Sequence, residues 1–502
     1  MASPLTYENV DPKVKILAMV GLSLGMMMAC MDGTIVGTCG TIIAEDLGGL
    51  ELYSWLVTAY LLSETGMVPI AGKMSDHFGR KPVFLLGLLL FIGGSVASGL
   101  SQSMEVLIVF RAVQGLGGGI LMPVAMASVA DFFAPEDRGK MQGMLGAVFG
   151  IGSGIGPMVG GAICKYFTWH WIFYINVPIA LVCFLLTLSK FPSMDVDSVK
   201  RIDFPGMVVL TALILDVLLY FQWIGDEIRF LSIESALMIA GAIALLAVFA
   251  ILERKAEDPI IAPKLLHKRT VVLSGLYLFI LGFAMIGTLT FIAMYIITIY
   301  GYDTLQCGVA LLPMVFGMMF TSMGSGMLVN RTGYRIWVIL GSAIIVGSLL
   351  LLSTLGSDAD INVLYAYMFL FGLGLGCTNS TVMVAVQNCT PSSEMGMTTS
   401  AVGVMRNIGS TVGTALYSLL ISSKMDSLFS DTVYAPVAEE LGLSGTGLLA
   451  LQYFPPIPGL ADKVVEIFGS SVCFAFMVGG LIYVMALVIS LFIDKGYTVS
   501  EE

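Results

Sequence analysis

Charge is scarce in this chain. Only 12% of its 502 residues are Asp, Glu, Lys or Arg, while 57% are hydrophobic. A water-soluble protein of this size needs more polar side chains to cover its surface, so the chain belongs in a bilayer. Histidine is scarcer still: His77, His170 and His267 stand far apart, with no HExxH, and offer no metal constellation. Eight cysteines are scattered singly with no CxxC pair. They read as small helix-packing residues, neither a disulfide framework nor a zinc site. A phosphate-cradling P-loop is missing, which argues against ATP as a driving force. No nucleophile–base pair or metal cluster suits a membrane enzyme. A net charge of −11 argues against nucleic acid as a partner.

Long apolar runs, by contrast, fill the sequence. A span needs about 20 apolar residues. Fourteen candidates cover roughly 15–39, 52–73, 82–100, 106–130, 140–164, 171–189, 205–224, 233–252, 271–299, 305–329, 335–355, 362–386, 398–422 and 468–493. The polar start, MASPLTYENVDPK, leads into a run long enough to span, so that run reads as a first transmembrane helix and not as a cleaved signal. With the N-terminus inside, eighteen of the 24 basic residues fall on the cytoplasmic side and four outside, and Arg111 and Arg406 lie within spans. That asymmetry places both termini in the cytoplasm and makes the span count even. The longest loop, 423–467, is then extracellular and acidic: either a solvated surface loop or a lid that attracts cations.

The chain also repeats itself. Gly72, Asp76 and Gly79 between spans two and three match Gly326, Asn330 and Gly333 between spans ten and eleven, at an offset of 254. Gly115 and Gly152 match Gly372 and Gly409 at an offset of 257. Two homologous six-helix bundles follow, 1–190 and 271–502, with a two-helix insert at 191–270. Two such bundles meeting at a midplane cavity suit an alternating-access carrier.

Two segments carry conformational chemistry. In the loop Gly72–Lys81, the glycines permit a tight reversal, and Asp76 can accept from helix N-terminal amides and from a basic partner. It reads as a cytoplasmic latch or as a plain joining loop; its recurrence at 326–335 favours the latch. In span five, Gly152, Gly156 and Gly160 lie one turn apart, and Pro157 permits a bend. That face offers either a sliding interface between the bundles or ordinary small-residue packing.

Ionisable groups inside a span are costly, and five stand there: Asp32, Glu64, Arg111, Asp216 and Arg406. Asp32 lies about 12 Å and Arg111 about 8 Å below the outer ends of their spans at 1.5 Å per residue, so they can pair. The pair reads as a proton-coupling site that also receives substrate, or as a static ion pair. Glu64 reads as a second proton or cation site, or as a carboxyl hydrogen-bonded to a neighbouring helix. Asp216, on the insert, reads equally as a packed neutral acid against span eight. Arg406 has no nameable partner. Tyr60 and Tyr295 are candidate aromatic faces for a lipophilic cation, or plain core.

Several of these motifs resemble one family. The loop at Gly72, Asp76, Gly79, Arg80 and Lys81 resembles the signature loop of the major facilitator superfamily. Arg111-Ala-Val-Gln-Gly115 resembles its span-four arginine motif, and Gly143 through Gly161 its span-five antiporter motif. Met31-Asp32-Gly33-Thr34 and Trp169-His170-Trp171 resemble the fourteen-helix drug:proton antiporters of the EmrB/QacA type. His170 stands where that group usually has arginine, and Gly37-Thr38-Cys39 replaces its usual Asn-Val-Ala after Val36. The resemblance implies an all-α integral membrane protein of about fourteen helices in the plasma membrane. It implies export of small lipophilic, cationic compounds in exchange for protons, with Asp32 and Arg111 handling the proton. No cofactor is expected beyond the proton gradient. An exporter of one metabolite or antibiotic on the same fold is the alternative reading, and a transport-inactive receptor a third.

Overall fold

The computed structural model describes residues 11–49, 52–192, 203–224, 228, 232–256, 259–260, 268–356, 359–391, 394–441, 443–453 and 458–494. Lys200, Arg201, Arg229, Lys264 and Lys495, which enter the charge asymmetry, lie outside them, as do parts of the insert's linkers and of the 423–467 loop.

The helices are α1 (Pro12–Leu47), α2 (Tyr53–Phe78), α3 (Arg80–Gly99), α4 (Met104–Phe132), α5 (Pro135–Tyr166), α6 (Trp171–Tyr174) and α7 (Asn176–Lys190). The insert holds α8 (Phe204–Trp223) and α9 (Ile233–Lys255). Then follow α10 (Arg269–Tyr300), α11 (Thr304–Ala310), α12 (Leu312–Thr332), α13 (Tyr334–Leu352), α14 (Ile361–Asn388), α15 (Met395–Ser430), α16 (Ala435–Leu441) and α17 (Leu460–Ser490). Among the described residues there is no strand, only an isolated bridge between Ile224 and Ile228. Helix starts follow capping chemistry. The Asp11 carboxylate accepts from the Lys13 amide, Asp203 from Gly206, and Asp303 closes a capping box with Gln306.

Twelve of these stretches are long and apolar enough to cross a membrane. The two other long helices, α2 and α15, have 26 and 36 residues but a more polar composition. They run against each other. Helices at 395–430 and 460–490 extend beyond the expected spans and shorten the 423–467 loop from both sides.

The repeat is visible in packing. Gly115 and Gly119 of α4 press on the backbone of α2 at Tyr60 and Glu64. Their counterparts Gly372 and Gly376 of α14 press on α12 at Met314 and Met318. Gly152 and Gly156 of α5 meet α1 at Met27 and Met31, while Gly409 and Gly413 of α15 meet α10 at Phe279 and Phe283. Gly79 and Gly333 end their helices with φ of 87° and 82°, a region that only glycine enters cheaply.

Two sequence expectations change here. Gly152, Gly156 and Gly160 pack on α1 of their own bundle, where Gly160 meets Ile35 and Thr38. They are not the interface between bundles. That role falls to the opposite face of α5: Gly139 and Gly143 meet Gly326 and Ser322 of α12, and Gly161 meets Leu305 of α11. A Cβ at Gly143 would lie 2.5 Å from the Ser322 carbonyl oxygen. A helix this rich in glycine has two close-packing faces, and one-turn spacing alone does not say which face looks where. The second correction concerns cysteine. Cys39 and Cys164 form a disulfide, one turn beyond the Thr38–Gly160 contact that draws α1 and α5 together. The two residues are 125 apart in sequence, so no local spacing reveals the bond. The other six cysteines are free.

The insert is not detached from the bundles. α8 lies across the α2–α15 seam: Met207, Leu210 and Ile214 join a cluster with Val68 of α2 and Val404 of α15. The Lys73 ammonium of α2 donates to the Pro259 carbonyl beyond α9, at 3.0 Å.

Candidate functional site

The first bundle encloses a polar node. Asp32 on α1 and Arg111 on α4 are both 0% exposed and form an ion pair. The second Asp32 oxygen accepts from Gln114 and Asn176, each at 2.8 Å. Arg111 also donates to Gln114 at 3.0 Å and to the Leu56 carbonyl at 3.2 Å. Asn176 passes the network to Ser95 at 3.2 Å. The Tyr60 ring lies 4.3 Å from the guanidinium carbon, and its hydroxyl donates to the Ala29 carbonyl. Every partner of this carboxylate is a donor: α4 supplies Arg111 and Gln114, and α7 supplies Asn176. The sequence singles out Asp32, Arg111 and Tyr60. Gln114 and Asn176 escape it because uncharged amides inside a span raise no alarm of cost.

Glu64 of α2 and Arg406 of α15 are placed differently. Arg406 is 8% exposed, and Glu64 is half-buried. They lie on helices of different bundles. Their sequence neighbours touch, the Asn407 amide donating to the Thr65 hydroxyl at 3.4 Å. The Arg406 guanidinium lies 5.3 Å from the centre of the Phe149 ring. Phe149 also lines a small cavity of about 40 Å³ between the bundles. Thr34, Ser153, Met285, Met314 and Met318 line it too, an apolar wall with sparse hydroxyls. Adaptable methionine and an aromatic face suit varied lipophiles.

The remaining candidates lie elsewhere. Asp32 and Tyr60 sit behind this cavity, inside the first bundle. Tyr295 is buried in the second bundle, where its hydroxyl donates to the Gly356 carbonyl. Neither Tyr295 nor Asp216 reaches the cavity. Asp216 faces Gly241 of α9, and one of its oxygens has no partner among the described residues.

At the 72–81 loop the bundles are joined. Asp76 accepts from the Gly396 and Met397 amides, at 2.9 and 2.8 Å, at the start of α15. Arg80 bridges Asp76 at 2.6 Å and Asp131 at 2.7 Å. Gly72 fits against Gly396 and Ser400. In the second copy the Asn330 amide donates to the Glu136 carbonyl, at the start of α5. Arg138, which the sequence reading leaves among the loop cations, donates across the bundles to the Gln387 carbonyl at 3.3 Å and to Asn388 at 3.2 Å. This end of the molecule is closed.

Comparison with known proteins agrees with this architecture. The model of the family described as Major Facilitator Superfamily matches residues 22–414. The chain is 34% identical over 415 residues to the multidrug transporter protein MdtP of Bacillus subtilis, covering 83% of this chain and 77% of MdtP. It is 32% identical to the multidrug resistance protein 3 of the same organism, covering 98% and 96%. Among solved structures, the human organic anion transporter MFSD10 (TETRAN) aligns with a TM-score of 0.65 at 15% identity, over 96% of this chain and 100% of that one. The proton:xylose symporter XylE aligns with a TM-score of 0.65 at 13% identity, over 96% of each chain. The chain therefore belongs to the Major Facilitator Superfamily, and it is a multi-pass membrane transporter and not an enzyme.

Proposed function

We propose that the protein exports amphipathic, cationic drugs across the plasma membrane in exchange for protons, by alternating access. In this reading α2 and α15 cross the bilayer with the twelve more apolar stretches, and both termini are cytoplasmic. The joined loop end is then the cytoplasmic face, and the conformation described is closed toward the cytoplasm.

The observation that carries the reading is the Asp32–Arg111 node, a fully buried carboxylate held by donors only and set behind an apolar cavity between the bundles. Protonating Asp32 removes the charge that Arg111, Gln114 and Asn176 all address. That loosens α1, α4 and α7 together, so proton occupancy can bias the rocking of the bundle. Glu64, nearer the seam, is the second protonatable acid and the substrate's anionic partner. The names of the Bacillus subtilis relatives support drugs as cargo. Export of a single metabolite is the second reading. Arg406 beside the cavity favours it, since a pump for simple cations has no use for a resident positive charge.

Ethidium efflux from cells expressing the wild type, beside Asp32→Asn, with and without a protonophore, tests the proposal. Efflux should collapse in the mutant and in uncoupled cells. Wild-type efflux that survives the protonophore excludes proton coupling.

A further inference from the structure

Arg406 is the anomaly of the molecule. It is more than nine-tenths buried, yet its guanidinium donates to no described residue. Arginine carries five N–H donors; no nitrogen of Arg406 is among the fully buried atoms without a partner, so its guanidinium is open to water or a ligand. The Phe149 ring offers only a cation–π contact in return. Glu64 is equally bare: its carboxylate accepts from no described residue, although donors surround Asp32 nearby. The two opposite charges lie on helices of different bundles, each next in sequence to one partner of the Asn407–Thr65 hydrogen bond, and they do not close into an ion pair. Thr65 and Asn407 already touch beside them, so the helices are near enough for the side chains to meet. Phe149 joins the pair to the cavity wall.

A lone cation at this place gains from Glu64 and loses to Arg406; a lone anion does the reverse. Only a ligand with both polarities gains from both. We propose that Glu64 and Arg406 form a two-charge recognition site, and that the substrates are amphoteric lipophiles. These carry a basic nitrogen for Glu64 and a carboxylate for Arg406, with an apolar body against Phe149 and the methionines. The inference rests on the export reading and replaces its cationic substrate class with an amphoteric one.

Two dyes with one scaffold separate the terms. Rhodamine B is a zwitterion with a free carboxylate; its ethyl ester is a permanent cation of nearly the same shape. Binding to the purified full-length protein is measured by fluorescence anisotropy. The wild type should bind rhodamine B at least tenfold more tightly than the ester. Arg406→Gln should abolish that preference while still binding the ester, which also certifies its fold, and Arg406→Lys should restore part of it. Glu64→Gln should weaken both dyes. Equal or tighter binding of the ester by the wild type, or a preference that Arg406→Gln leaves intact, overturns the inference, as does failure to bind either dye. Dye uptake into proteoliposomes under a pH gradient keeps the two claims apart. Gradient-driven transport of both dyes without preference leaves proton-coupled export standing and removes the two-charge site. Preference without gradient-driven transport does the opposite.

Discussion

Two of the molecule's opposite-charge couples are built differently. Asp32 and Arg111 lie inside one bundle, sealed from solvent, with further hydrogen-bond partners on α2, α4 and α7. Glu64 and Arg406 lie on either side of the seam, without hydrogen bonds to any described residue. A network contained within one bundle holds its shape as the bundle moves. Groups left open between two bodies are free to take a ligand or to meet each other when the bodies close. The same division runs along α5. Its Gly152–Gly160 face is locked on α1 and its Gly139–Gly161 face abuts the other bundle.

The largest effect that sharpens this contrast is on stability. Asp32→Ala strands a buried arginine and should cost about 3–5 kcal/mol, whereas Glu64→Ala removes no hydrogen bond and should leave stability nearly unchanged. Denaturation of the purified protein in detergent compares them. Next comes the staple within the first bundle. Opening the Cys39–Cys164 bond by Cys39→Ser should cost about 2–4 kcal/mol. A denatured sample of wild type should take up six maleimide tags without reductant and eight with it.

The two faces of α5 offer a third test. Gly152→Ala should cost about 1–3 kcal/mol of stability, because its Cβ meets α1 at 2.8 Å from the Met27 carbonyl oxygen. Gly143→Ala should instead slow transport with a smaller change in melting temperature. If both variants act on stability alone, the distinction between locked and moving faces fails.

The smallest effect lies at the rim, where Lys165 meets Asp303 at 3.2 Å in the open. The Gln306 amide, and then Lys165, hold the Asp303 carboxyl below its ordinary value. A lowered carboxylate stabilises the fold above its unfolded value, and that contribution is lost as pH falls through the folded one. Asp303→Asn should therefore remove a slight acid sensitivity of melting, and leave melting at neutral pH within experimental scatter.

Much of this was legible in the sequence, for physical reasons. Spans announce themselves by length and apolarity. The repeat shows because glycines recur wherever two helices must touch, as at Gly115 and Gly372. Asp32, Glu64, Arg111 and Arg406 stand out because charge in a span is expensive. What stayed hidden depends on which helix faces which. The Cys39–Cys164 bond, the crossing of α8 over the seam and the Phe149 platform under Arg406 join residues far apart in sequence. Helical periodicity gives a face and not its neighbour. Aromatic residues suffer most, since Tyr295 and Phe149 look alike in the sequence, yet only Phe149 reaches the cavity.

The most direct measurement places Asp32→Asn and Glu64→Gln side by side in proteoliposomes, reading rhodamine B binding and its uptake under an imposed pH gradient. In the proposed reading the sealed node handles the proton and not the dye, so Asp32→Asn should keep binding and lose gradient-driven uptake. Glu64→Gln should lose binding itself. If Asp32→Asn abolishes binding while Glu64→Gln leaves it intact, the roles assigned to the two couples are reversed and the division between them is wrong.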